Sequence, residues 1–122
     1  MSQPISIPSD LERVARNLVA RAQQASAVAR VELGDGLQMF AYPSAACSVL
    51  GIGCLRLALR PDTIAQVLHQ RFEQPGRFAP WLPAVFNDGS FYLLQRLPHA
   101  SGEQPRTPSG AGCAEVLALL TV

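Results

Sequence analysis

The chain has 122 residues, enough for one domain and one core. Apolar residues make up 48% of it and charged residues 16%, which excludes the disordered polyelectrolyte class. Ten basic residues against nine acidic ones leave a net charge of +1, so there is no electrostatic footprint for nucleic acid or an anionic membrane. All ten basic residues are Arg, which removes the Walker phosphate loop, Schiff-base chemistry and lysine general bases.

Ser9 is a good N-cap, and Leu11, Val14, Ala15, Leu18, Ala22 and Ala25 then recur at three-and-four spacing, which predicts an amphipathic first helix with Arg13, Arg16 and Arg21 facing solvent. From Ala27 to Leu33, Ala29, Val31 and Leu33 alternate with Val28, Arg30 and Glu32, and Gly34-Asp35-Gly36 supplies a hairpin turn. The return strand, Leu37 to Tyr42, puts Leu37, Met39 and Ala41 on one face and Gln38, Phe40 and Tyr42 on the other, before Pro43. Val49 to Leu59 reads as a third, central strand in which Leu55, Leu57 and Leu59 share a face, with Gly51 and Gly53 signalling a bulge or a close backbone approach.

Pro61 and Asp62 open a second helix carrying Ile64, Val67, Leu68 and Phe72, and Pro75-Gly76 stops it. Trp81 to Phe86 and Phe91 to Leu97 flank Asn87-Asp88-Gly89-Ser90, the strongest hairpin signal in the sequence. Residues 98–112, rich in Pro and Gly, predict a flexible loop, and Cys113 to Leu120 a short apolar C-terminal helix. The expected fold is a single α+β domain over residues 1–122, in the order α-β-β-β-α-β-β-α, with a twisted, mostly antiparallel sheet flanked by helices.

Cys47, Cys54 and Cys113 are odd in number and contain no C-x-x-C, a pattern of a reducing compartment and not of a disulfide scaffold. The opening MSQPISIPSDLER has no basic stretch followed by an apolar run, so export by a cleaved signal is not expected, and Arg56 and Arg60 interrupt the longest membrane-span candidate. His69 and His99 lie far apart without zinc-ligand spacing, and Gly51-x-Gly53 meets Arg56 where a dinucleotide fingerprint needs a third glycine. Asp35 and Asp88 sit in hairpin turns, where Asp serves local hydrogen bonding. Neither a catalytic residue set nor a metal or cofactor site is expected. What is left over is apolar surplus: Phe40 and Tyr42 on a half-polar strand face, an apolar third strand, and a Phe/Trp-rich stretch from Phe72 to Phe86. In a small soluble domain such a surplus marks a protein interface.

Four segments carry a family resemblance: SDLERVARNLVARA, VELGDGLQMFAYP, LRLALRPDTIAQVLHQRF and AVFNDGSFYLLQRLP. Together they cover most of the chain from Ser9 to Leu97 and resemble the class I type III secretion chaperones, small bacterial cytoplasmic proteins that hold an effector or other secreted substrate before export. The resemblance implies a homodimer of the α-β-β-β-α-β-β-α fold without enzymatic activity or cofactor. It puts the dimer interface on Val67, Leu68, Phe72, Trp81 and Phe86, and the client-binding patches on Leu18, Val31, Phe40, Tyr42, Leu55 and Leu94. A client would lie extended on this surface and add backbone hydrogen bonds at a free strand edge. The chain departs from the family in its near-neutral charge, with all its cations as Arg, and in its short last helix, which fits either an altered client patch or a heterodimer with a second small subunit. The alternatives are a structural or regulatory subunit of a secretion assembly, and a small-molecule-binding domain or enzyme with a cavity beside Gly51 and Gly53.

Overall fold

The computed structural model describes residues 8–98 and 112–121. Helix α1 (Pro8–Ala25) leads into strands β1 (Ala29–Gly34), β2 (Leu37–Pro43) and β3 (Cys47–Cys54). A 3-10 turn (Arg56–Ala58), helix α2 (Thr63–Glu73) and the one-turn helix α3 (Pro75–Phe78) follow, then β4 (Leu82–Val85), β5 (Phe91–Pro98) and α4 (Cys113–Thr121). The strands form one antiparallel sheet in the order β1-β2-β3-β5-β4, so β1 and β4 are its edges. This is an α+β fold with helices flanking the sheet.

Both hairpins close where turn chemistry places them. Gly34, Asp35 and Gly36 all take positive φ, at 97°, 54° and 79°, the region the β1–β2 turn requires and Gly and Asp tolerate best. In the β4–β5 turn the Asp88 carboxylate accepts the Ser90 N–H at 2.9 Å and the Ser90 hydroxyl at 2.5 Å.

The pleat sorts the strands into two faces. Leu37, Met39 and Ala41 of β2, Leu50, Ile52 and Cys54 of β3, and Phe91, Leu93 and Leu97 of β5 are buried with Leu11, Ala15, Leu18, Val19 and Ala22 of α1 and with Cys113, Val116 and Leu120 of α4. Val67, Phe78 and Trp81 complete that core. The polar groups inside it are matched. Gln23 donates to the Ser48 hydroxyl at 2.9 Å, and among the described residues no buried side-chain nitrogen or oxygen lacks a partner.

The third strand is shorter than the expected Val49–Leu59. Cys54 pairs with Leu37 on one side and Phe91 on the other, and these are the first residues of β2 and β5. Both neighbours run out there, so the ladder stops and the chain turns. Leu57, expected on a strand face, is fully exposed. The first helix begins at Pro8, whose fixed φ suits a first helical position, and not after a Ser9 cap. Pro75 likewise opens α3 after ending α2. The expected 98–112 loop, with His99, falls almost wholly outside the described residues.

Helix α4 is tied down by charge at its positive end. A Glu12 carboxylate oxygen accepts the Cys113 N–H at 2.7 Å, Glu115 accepts the Gly112 N–H at 2.9 Å, and Arg77 pairs with Glu115. Burial, with the Glu12 carboxylate beside it, pushes the Cys113 thiol up to about 12, and burial also raises Cys54. Thiolates are the reactive species, so a disulfide reagent at pH 8 should modify half-buried Cys47 first and reach Cys54 and Cys113 only after denaturant is added. Fast modification of all three in the native protein would contradict this burial. An unfolded thiol ionises near pH 8.5, below the native value, so the contribution of Cys113 to stability is full under that pH and falls as pH rises above it.

Candidate binding surface

The second sheet face carries Val28, Arg30 and Glu32, then Gln38, Phe40 and Tyr42, then Val49, Gly51 and Gly53, then Tyr92, Leu94 and Arg96, and finally Leu82, Ala84 and Phe86, by the observed register and strand alternation. Three rings cluster at its centre. Phe40 and Tyr92 meet edge to face with centroids 5.2 Å apart, Phe86 lies 4.8 Å from Tyr92, and Phe40 and Phe86 are 6.0 Å apart. These are the separations at which aromatic pairs attract.

The two glycines of β3 make this cluster possible. A Cβ on Gly51 would come within 2.4 Å of the Phe40 ring, and one on Gly53 within 2.3 Å of the Tyr92 ring and of the Phe91 carbonyl oxygen. The rings therefore lie down over bare backbone, and the space beside Gly51 and Gly53, expected as a possible ligand cavity, is filled by the protein's own side chains.

Beside the cluster runs a groove of about 290 Å³ lined by Val28, Arg30, Gln38, Phe40, Tyr42, Phe86, Asp88, Ser90 and Tyr92. Its floor is firm: the Tyr92 hydroxyl donates to Gln38 at 3.2 Å, and burial, with the Asp88 charge nearby, raises the phenol above its usual range while Arg30 opposes the rise. The Ser90 hydroxyl and amide hold the Asp88 carboxyl below the usual carboxylate range, so it is an anion at neutral pH. Tyr42 and Phe86, 52% and 39% exposed, offer apolar area at the rim. A larger cleft of about 450 Å³ between α2 and α4 collects Asp62, Ala65, Gln66, His69, Gln70 and Leu119 and has no aromatic floor.

Of the residues the resemblance assigns to clients, the structure brings Phe40, Tyr42 and Leu94 together on the open face. Leu18 is a core residue beneath α1, Val31 packs from the helix side against that core, and Leu55 is half-buried just beyond β3. Of the residues assigned to the dimer interface, Val67 and Trp81 are 1% and 0% exposed and present no surface in the folded protomer. Leu68 and Phe72, 45% and 81% exposed, stand one turn apart on the outer side of α2. Phe86 belongs to the aromatic cluster instead. Sequence reasoning passed over Tyr92 and Val28, although alternation along each strand puts Tyr92 with Leu94 and Val28 with Arg30 on one face.

His69 is on the surface, 3.6 Å from Glu73 one turn on. Among the described residues no group of three or more His, Cys, Asp or Glu is arranged to hold a metal ion, and no helix is long and apolar enough to cross a membrane. Comparison with family models, with curated proteins and with solved structures found no match to this chain.

Proposed function

We propose that this protein is a non-enzymatic chaperone of the class I type III secretion kind, acting in the bacterial cytoplasm. It holds an extended segment of a secreted effector or other secretion substrate and keeps that client soluble and export-competent. The observation that carries the reading is the open sheet face, where Phe40, Phe86 and Tyr92 form an aromatic floor beside exposed Tyr42 and Val28. Apolar area of this kind, rimmed by polar groups, is the usual mark of a protein interface. The edge strand β1 borders it, so a client chain that continues past the groove and along that edge can add backbone hydrogen bonds there. The order of helices and strands supports the same reading, as does the pair of exposed apolar side chains Leu68 and Phe72 on α2, which suits contact with a second copy.

The test is purification of the tagged protein from its host in mild salt, with mass measured by light scattering. The wild type is expected to elute as a dimer with a secreted protein bound. Tyr42→Asp combined with Phe86→Ser, both at exposed positions, should cut the recovered client at least about tenfold, the size of effect that loss of aromatic anchors has, while circular dichroism stays unchanged. A monomer with nothing bound refutes the reading. A second reading, a subunit permanently joined to a different small protein, rests on the same Leu68 and Phe72 patch, and a fixed one-to-one partner that does not exchange would favour it.

A further inference from the structure

The groove on the open face has a charge at each end. On its β1 side stands Arg30, which forms no salt bridge with another described residue. Glu32, the next residue on that strand face, pairs across to Gln38 and does not line the groove. At the other end stands Asp88, whose Oδ1 accepts from the Ser90 amide and hydroxyl and which lines the groove. Between them lie the rings of Phe40, Tyr92 and Phe86. Arg30 on β1 lies in the row Arg30–Phe40–Gly51–Leu94, and Ser90, just before β5, stands three strands across and four residues along from it, roughly 19 Å on the diagonal at ordinary strand spacing and rise.

An extended peptide matches this layout. Its residues i, i+2 and i+4 face the same way and span roughly 13 Å, and long charged side chains cover the remaining distance. We propose, resting on the chaperone reading above, that the groove selects a client segment in which an apolar side chain sits between an acidic and a basic one at alternate positions. The acidic side chain pairs with Arg30, the apolar one rests on the rings, and the basic one pairs with Asp88. The neutral sum of the two ends explains how a chain of net charge +1 discriminates among segments without attracting every anionic or cationic protein.

The probes are capped, fluorescein-labelled seven-residue peptides with glutamate, phenylalanine and arginine at alternate positions and serine between. Both orders of the charged pair are used, since a strand can lie on the groove in either direction, and control peptides carry glutamine for either or both charges. In low salt, one order should bind about tenfold tighter by fluorescence anisotropy than the doubly neutral peptide, since an exposed ion pair is worth up to about fivefold, and 0.5 M salt should erase most of the difference. Arg30→Gln should remove the advantage of glutamate alone. Asp88→Asn, which keeps the acceptor for Ser90 and so the turn, should remove that of arginine alone. Equal binding of charged and neutral peptides, indifference to both variants, or no binding of any peptide overturns the proposal. If the same two variants still recover the wild-type client from the host, the charge pattern falls and the chaperone reading stands; if the wild type recovers none, the chaperone reading itself falls.

Discussion

Trp81→Ala is expected to lower the unfolding free energy by about 3–5 kcal/mol, the cost of emptying a large buried aromatic site, and to leave the mass of the surviving folded species unchanged. Trp81 is 0% exposed and sits in the same core as Phe78, Val67 and Phe91. Its carbonyl accepts the Arg71 Nε–H at 2.9 Å, which fastens α2 to the segment that enters β4. Urea denaturation followed by circular dichroism measures the loss, and light scattering below the transition gives the mass. A stable variant of lowered mass would mean that Trp81 is a contact between copies and that its burial in the protomer is wrong.

Gly53→Ala is expected to cost about 2–3 kcal/mol, at the upper end of what overpacking a filled core does, because the new methyl group meets the Phe91 carbonyl of the neighbouring strand at 2.3 Å as well as the Tyr92 ring. Backbone in the middle of a sheet cannot move aside without breaking its ladder. At Gly51→Ala the nearest atoms are instead the side chains of Phe40 and Leu94, so it should cost about 1 kcal/mol and act on the groove by displacing the Phe40 ring. Urea midpoints of the two variants check the contrast. Equal tolerance of both would show that the rings do not lie over these glycines.

Local chemistry made much of this fold legible in the sequence. The Gly34-Asp35-Gly36 and Asn87-Asp88-Gly89-Ser90 turns, the stripe of α1 from Leu11 to Ala22 and the span of α4 all depend on residues within a few positions of one another, and each is found where the pattern puts it, although Ala25, expected to continue the stripe, is exposed at the helix end. The end of β3 was not legible, because it is set by where two other strands begin. The split of the surface residues was legible in part. Trp81 and Phe86 are five positions apart, and an odd separation along an extended segment sends side chains to opposite faces; one is core and the other joins the open face. Val67 and Leu68 are neighbours on a helix and point about 100° apart, so only one of them can serve a surface. Leu18 lies on the stripe that buries α1, and its own spacing from Leu11 and Ala22 placed it inside. The aromatic cluster needed the register: no local pattern says that Phe40, Gly51 and Leu94 lie in one row across three strands.

The central claim is that the open sheet face holds the client, and site-specific photocrosslinking in the host tests it most directly. A photoreactive phenylalanine analogue is placed at Tyr42 or at Phe86, both exposed on that face, and as a control at Arg16 on the solvent side of α1. Crosslinks from positions 42 and 86 to a secreted protein, with none from position 16, are the expected result. Crosslinks from position 16 alone, or none to any secreted protein from the open face, would contradict the account.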